Sequence, residues 1–104
     1  MKDTYTNYYK TSDGEQIFYT TNFDPKDNTF NDVLVFNYGL VCSNHHWSPQ
    51  IEYFDSIGKK ILIHDYRGHF HSSGMHDITI INFENIKNDL YGLLEKNNIN
   101  TAIL

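Results

Sequence analysis

Four histidines, His64, His69, His71 and His76, fall in one short stretch with Asp65 among them. Neutral imidazoles and carboxylates are good ligands for zinc, so the stretch invites a metal reading. Its spacing does not select one, because His64 and Asp65 alternate sides at the end of an apolar run. A second grouping, Cys42 with His45 and His46, has the residue types of a nucleophile and its base. A thiol needs a lowered pKa and an oriented base, and proximity in sequence supplies neither. A small buried or loop cysteine is the expectation there, with His45 and His46 at a surface or pocket rim. Arg67 carries five donors in a rigid fork, suited either to an anionic substrate or to tying down its own loop.

These residues need elements to hold them. Tyr5 to Lys10 and Gln16 to Thr21 are β-prone and flank Ser12-Asp13-Gly14-Glu15, which predicts an antiparallel hairpin. Asp24 to Asp32, with Pro25, Asp27, Asn28 and Asn31, reads as a polar surface loop. Val33-Leu34-Val35-Phe36 and Ile61-Leu62-Ile63 are short unbroken apolar runs, the pattern of strands buried on both faces. Between them Trp47, Ile51, Phe54 and Ile57 recur at helical spacing, and Gly58 stands where a helix closes. Asp65 to Met75 is too rich in Gly, His and Ser for a regular element and predicts a long loop at a strand's carboxyl end. Thr79 can cap a helix whose inward face holds Phe83, Ile86, Leu90, Leu93 and Leu94 and which breaks at Asn97-Asn98. Thr101-Ala102-Ile103-Leu104 begins a further strand. Strands and helices alternating in this way imply right-handed crossovers and a mostly parallel sheet, with ligands at the carboxyl ends of its strands.

Composition narrows the classes. The 104 residues are 39% hydrophobic and 15% aromatic, enough for a core, and contain no biased tract. The formal net charge of −5 and the scatter of Lys and Arg offer no basic stripe, so nucleic acid is not expected as a partner. The first residues lack the apolar stretch of a signal peptide and no run is long enough to span a bilayer, so neither secretion nor a membrane is expected. With Cys42 as the only cysteine, an internal disulfide cannot form, and a cytoplasmic location is the expectation.

Two loops and two outlying landmarks carry a resemblance. Asn37-Tyr38-Gly39-Leu40 with Ser43 and Trp47 follows the first buried strand, and Asp65-Tyr66-Arg67-Gly68-His69 with Ser72 follows the second. With Asp13-Gly14 in the hairpin and Asp89-Leu90 in the last helix, they resemble the amino-terminal portion of the α/β-hydrolase fold superfamily, in order and in spacing. The resemblance implies a partial α/β domain over residues 1–104: a hairpin, a mostly parallel sheet and flanking helices. It implies that the nucleophile elbow, a Gly-x-Ser-x-Gly turn, belongs just after the strand begun at Thr101, with the acid and histidine further along. None of these is in this sequence. The intact protein would then be a serine-type hydrolase of ester or related bonds acting on a small molecule without cofactor or metal, and the fragment alone would be inactive.

What the fragment would contribute is one oxyanion-hole donor, the backbone amide of Leu40, which matches the family's position in the first loop. The resemblance assigns Asp65 and His69 to loop formation, and Arg67 and Asp89 to structure. Trp47 is read as packing the first helix against the sheet rather than stacking on a ligand. Two departures stand out: Tyr38 replaces the family's usual histidine, and Phe70 replaces the second glycine of the second loop. If that glycine has a positive φ, Phe70 sits under strain or the loop is reshaped. The alternative is a non-catalytic binding or interaction module, against which stands the unprotected apolar edge that Thr101 to Leu104 would leave.

Overall fold

The computed structural model describes residues 1–26, 32–37 and 47–103. Strands β1 (Tyr5–Lys10) and β2 (Gln16–Thr21) pair antiparallel from Tyr5↔Thr21 to Lys10↔Gln16. Their turn closes through the Thr11 amide, which donates to the Glu15 carbonyl at 2.8 Å, and needs Gly14 at φ +91°. β3 (Val33–Phe36), β4 (Ile61–His64) and β5 (Ala102–Ile103) complete one sheet in the order β1-β2-β4-β3-β5. β4 runs parallel to β3 and antiparallel to β2, and β5 runs parallel to β3. The hairpin therefore leads into a parallel part, as the alternating pattern predicts.

Both faces of β3 and β4 are covered, which is why their sequences are apolar without a break. Val33, Val35 and Leu62 join Ile17, Tyr19, Leu90, Leu93 and Ile99 in one core, under helix α2 (Phe83–Lys96). Phe36 and Ile61, with Leu34 and Ile63 beside them, form the second core with Ile51 and Phe54 of helix α1 (Ser48–Ser56). The period of two along each strand thus sorts its residues between the two helical layers.

Both helices end in the same way. Beyond α1 the amides of Gly58 and Lys59 donate back to Asp55 and Phe54, with Gly58 at φ +83°. Beyond α2 those of Asn98 and Ile99 donate to Glu95 and Leu94, with Asn98 at φ +56°. This paired closure requires a left-handed residue, which glycine adopts freely and asparagine tolerates. Asn97 is buried at the second closure, where its amide nitrogen donates to the Leu93 carbonyl and its Oδ1 accepts from the Tyr19 hydroxyl.

Three sequence expectations need correction. Thr79 does not cap α2. It lies in a short 3-10 helix (Ile78–Ile80) capped by Asp77, and α2 starts later, where Asn82 Oδ1 accepts from the Asn85 amide at 2.9 Å. Phe83 keeps to the stripe of Leu90, but as the first residue of the helix it stands at its end and is 80% exposed. Ile57 is also exposed, because α1 stops at Ser56 and the turn into Gly58 swings it away from the sheet.

Candidate functional site

The carboxyl ends of β3 and β4 lie side by side, so the two loops singled out in the sequence leave the sheet together. Of the first loop, Asn37 and Trp47 are described. Tyr38, Gly39, Leu40, Cys42, Ser43, His45 and His46 lie outside the described residues, as do Asp27, Asn28, Asn31 and Leu104. The two ends of the loop are joined: the Trp47 indole Nε1 donates to the Asn37 carbonyl, and its ring meets Phe36 at 5.5 Å. Trp47 thus packs on the sheet, as read from the sequence. Asn37 is also held from the neighbouring strand, its Oδ1 accepting from His64 Nε2 at 3.1 Å. Burial at the end of β4 pulls the His64 imidazole down to about 4, so it serves as a neutral donor.

The second loop is built round Arg67, whose residue is 2% exposed. Nε and one terminal nitrogen grip Asp89 at 2.7 and 2.6 Å. The fork's other side grips Asp13 at 2.9 and 3.1 Å, and the last N–H reaches the Ile80 carbonyl at 3.4 Å. All five donors are therefore used internally, and an anionic substrate would have to displace a carboxylate. The guanidinium holds the half-exposed Asp13 carboxyl down at about 2, with the Thr11 hydroxyl adding to the effect. Burial pushes Asp89 up while Arg67 pulls it down, and the Arg67 proton is itself held more tightly by Asp89. A bidentate pair at 2.6 to 2.7 Å is that of two charged groups, so Asp89 is ionised here. The structural roles read for Arg67 and Asp89 are those the geometry shows.

The loop is then laced onto β2. Ser72 Oγ donates to the Asp65 carbonyl and accepts from the Phe18 amide, at 2.7 and 2.9 Å. Ser73 Oγ donates to Glu15 Oε2 and accepts from the Gln16 amide, both at 2.8 Å. Gly68 allows the tight passage: at φ +75°, a Cβ there would come within 2.3 Å of Ile81 Cδ1. Phe70 sits at φ +47°, in the left-handed region, so the position where the resembling family has glycine keeps that backbone with a side chain that strains it.

The histidines are not brought into one cluster. His69 Nδ1 donates to the Arg67 carbonyl, His71 Nδ1 lies 3.3 Å from Asp65 Oδ2, and His76 lies 3.6 Å from Glu15. Among the described residues no group of three or more His, Cys, Asp and Glu could hold a metal ion. Sequence reasoning missed Glu15 and the Asn37–His64 bond. Glu15 looks like any turn residue until Ser73 is seen against it. Asn37 and His64 close adjacent apolar runs, a shared polar ending that is the one signal of their pairing.

Strand order, the crossovers and the two loops at neighbouring carboxyl ends are those of the amino-terminal portion of the α/β-hydrolase fold, and the chain has that fold. An epoxide hydrolase from Vigna radiata superposes on it with a TM-score of 0.78 at 16% identity, over 100% of this chain and 30% of that one. In sequence, a non-heme chloroperoxidase from Burkholderia pyrrocinia is 34% identical over 70 residues, 67% of this chain and 24% of the relative. A bifunctional esterase/perhydrolase from Acinetobacter calcoaceticus is 34% identical over the same shares of each chain. The chain thus spans about a quarter of the length of the curated relatives it matches. No family model matches it. Among the described residues no helix is long and apolar enough to cross a membrane.

Proposed function

We propose that residues 1–104 are the front of one larger catalytic domain, and that the whole protein is a serine-type hydrolase cleaving ester or related bonds of a small molecule in the cytoplasm. The observation that carries this reading is the pair of loops leaving adjacent parallel strands β3 and β4, with β5 running parallel on the far side of β3. In this reading the turn after β5 raises the nucleophilic serine, and the first loop faces it with the backbone amide of Leu40. That amide would be fixed before the reaction and would stabilise the charge that develops on the carbonyl oxygen. The Asn37 anchorage by His64 and Trp47 supports the reading, since a donor stabilises a transition state only if its loop is held in place. Nucleophile, acid and catalytic histidine would all come from beyond residue 104, and neither cofactor nor nucleic acid has a part.

The test is covalent labelling with a fluorophosphonate probe together with hydrolysis of p-nitrophenyl esters. The 104-residue chain is expected to do neither. The protein extended by the remaining fold is expected to do both, with the label on a serine shortly after residue 104. Labelling of a serine within residues 1–104 would overturn the reading.

A further inference from the structure

A cavity of about 400 Å³ opens between α1 and the second loop, on the sheet face away from α2, and the hydrolase reading leaves it unused. Its size is that of a small-molecule site, roughly 300–1,000 Å³. Met1, Phe18, Ile51, Ile63 and Phe70 give it apolar walls, two of them aromatic. Its polar wall holds an oriented imidazole: the His71 ring lies on Phe18 at 4.6 Å between centroids and faces Asp65 Oδ2 through Nδ1 at 3.3 Å. The His71 amide also donates to that oxygen, at 3.1 Å, so ring and backbone are fixed to one carboxylate. When the ring is neutral, an Nδ1–H donated to Asp65 leaves Nε2 with its lone pair as an acceptor.

From this arrangement we propose that the cavity binds a small neutral phenol, with its ring between the apolar walls and its hydroxyl donating to His71 Nε2. The charges favour that class over an aromatic acid. Among the described residues, the charged side chains lining the cavity are the carboxylates of Glu52 and Asp65, and the amino group of Met1 lies within electrostatic reach of Asp55. A carboxylate ligand would meet two like charges, whereas a neutral O–H donor meets an acceptor placed to receive it.

The experiment uses intact protein carrying these residues, with 15N-labelled histidine and 13C-labelled isoleucine methyl groups. It is titrated in turn with p-cresol, 4-methylanisole and 4-methylbenzoate and followed by NMR. p-Cresol is expected to shift the His71 ring nitrogens and the methyls of Ile51 and Ile63, with a Kd on the order of millimolar. 4-Methylanisole, which has no hydroxyl proton, is expected to bind at least about fivefold more weakly, and 4-methylbenzoate more weakly still. His71→Phe, at an exposed position and able to keep the ring contact with Phe18, is expected to abolish the preference for p-cresol over 4-methylanisole. The proposal is overturned by equal binding of p-cresol and 4-methylanisole, by tighter binding of 4-methylbenzoate, by shifts confined to other residues, or by no shifts at all. None of these readouts depends on ester hydrolysis, so the outcome is independent of the proposed function.

Discussion

Replacing Arg67 with methionine tests what holds the second loop. Methionine keeps much of the buried volume but removes all five donors, leaving Asp89, at 6% exposure, without its counter-charge. Breaking a buried pair from one side costs about 3–5 kcal/mol, because the remaining charge is stranded. Asp89 can limit that cost by taking up a proton, the direction in which burial already pushes it. Asp13 adds little, since its side chain is 45% exposed and water screens the pair. A loss of about 3 kcal/mol in urea unfolding of Arg67→Met is therefore expected. Arg67→Met combined with Asp89→Leu should recover most of it, because an apolar pair of similar volume has no charge left to desolvate. The pH dependence gives a second reading. Asp13 is held at about 2 against its ordinary 3.8, so its share of stability is present above about pH 4 and is lost as pH falls toward 2. In Arg67→Met that acid-limb loss should shrink to the part that the Thr11 hydroxyl sustains. A destabilisation below about 1 kcal/mol, or a double variant no better than the single one, would refute the buried-pair argument.

Two further outcomes follow from the same geometry. His64 is pulled down from 6.5 to about 4 by burial, so the unfolded chain binds its proton first; stability is full above about pH 6.5 and falls as pH drops toward 4, by up to about 3 kcal/mol. His64→Gln should flatten that window in acid unfolding curves, and an NMR titration midpoint for His64 above 6 would contradict the assignment. Phe70→Gly relieves a left-handed backbone worth about 1–2 kcal/mol, offset in part by glycine's greater freedom when unfolded. Since Phe70 is 63% exposed, a net gain of up to about 1 kcal/mol is expected in thermal or urea unfolding, and a net loss would show that its ring packs usefully.

Most of the fold was legible because each element carries a periodic signal of its own. The hairpin bounds, the two buried runs and the Gly58 closure were all readable; at Phe70 the family resemblance left strain or a reshaped loop open, and the left-handed backbone is the first of these. The start of α2 was not, since Thr79 and Asn82 are both good caps. The choice between them falls to Asp77, whose carboxylate draws the Thr79 amide into a separate turn. The structural role of Arg67 was readable only through family resemblance. Its partners lie 54 and 22 residues away, a pairing that no local pattern encodes. The same holds for His64 and Asn37, which are 27 residues apart and join only when β3 and β4 align. Leu40, the one catalytic contribution read from the sequence, remains a proposal resting on how its loop is anchored.

β4 is the strand at which the sheet changes polarity. The hairpin is stitched to the parallel half by a short ladder, with Thr21↔Leu62, Thr20↔Ile63 and Tyr19↔His64 as its paired residues. The Arg67 fork adds a second attachment, tying the hairpin turn through Asp13 to α2 through Asp89. Opening the hairpin away from β4 strips the screened Asp13 from the guanidinium at little cost, but it also uncovers Ile17 and Tyr19, which pack in one core with Leu90 and Leu93 of α2. In hydrogen-exchange terms, the amides of β1 and β2 are therefore expected to exchange together with those of α2, although the two segments are far apart along the chain.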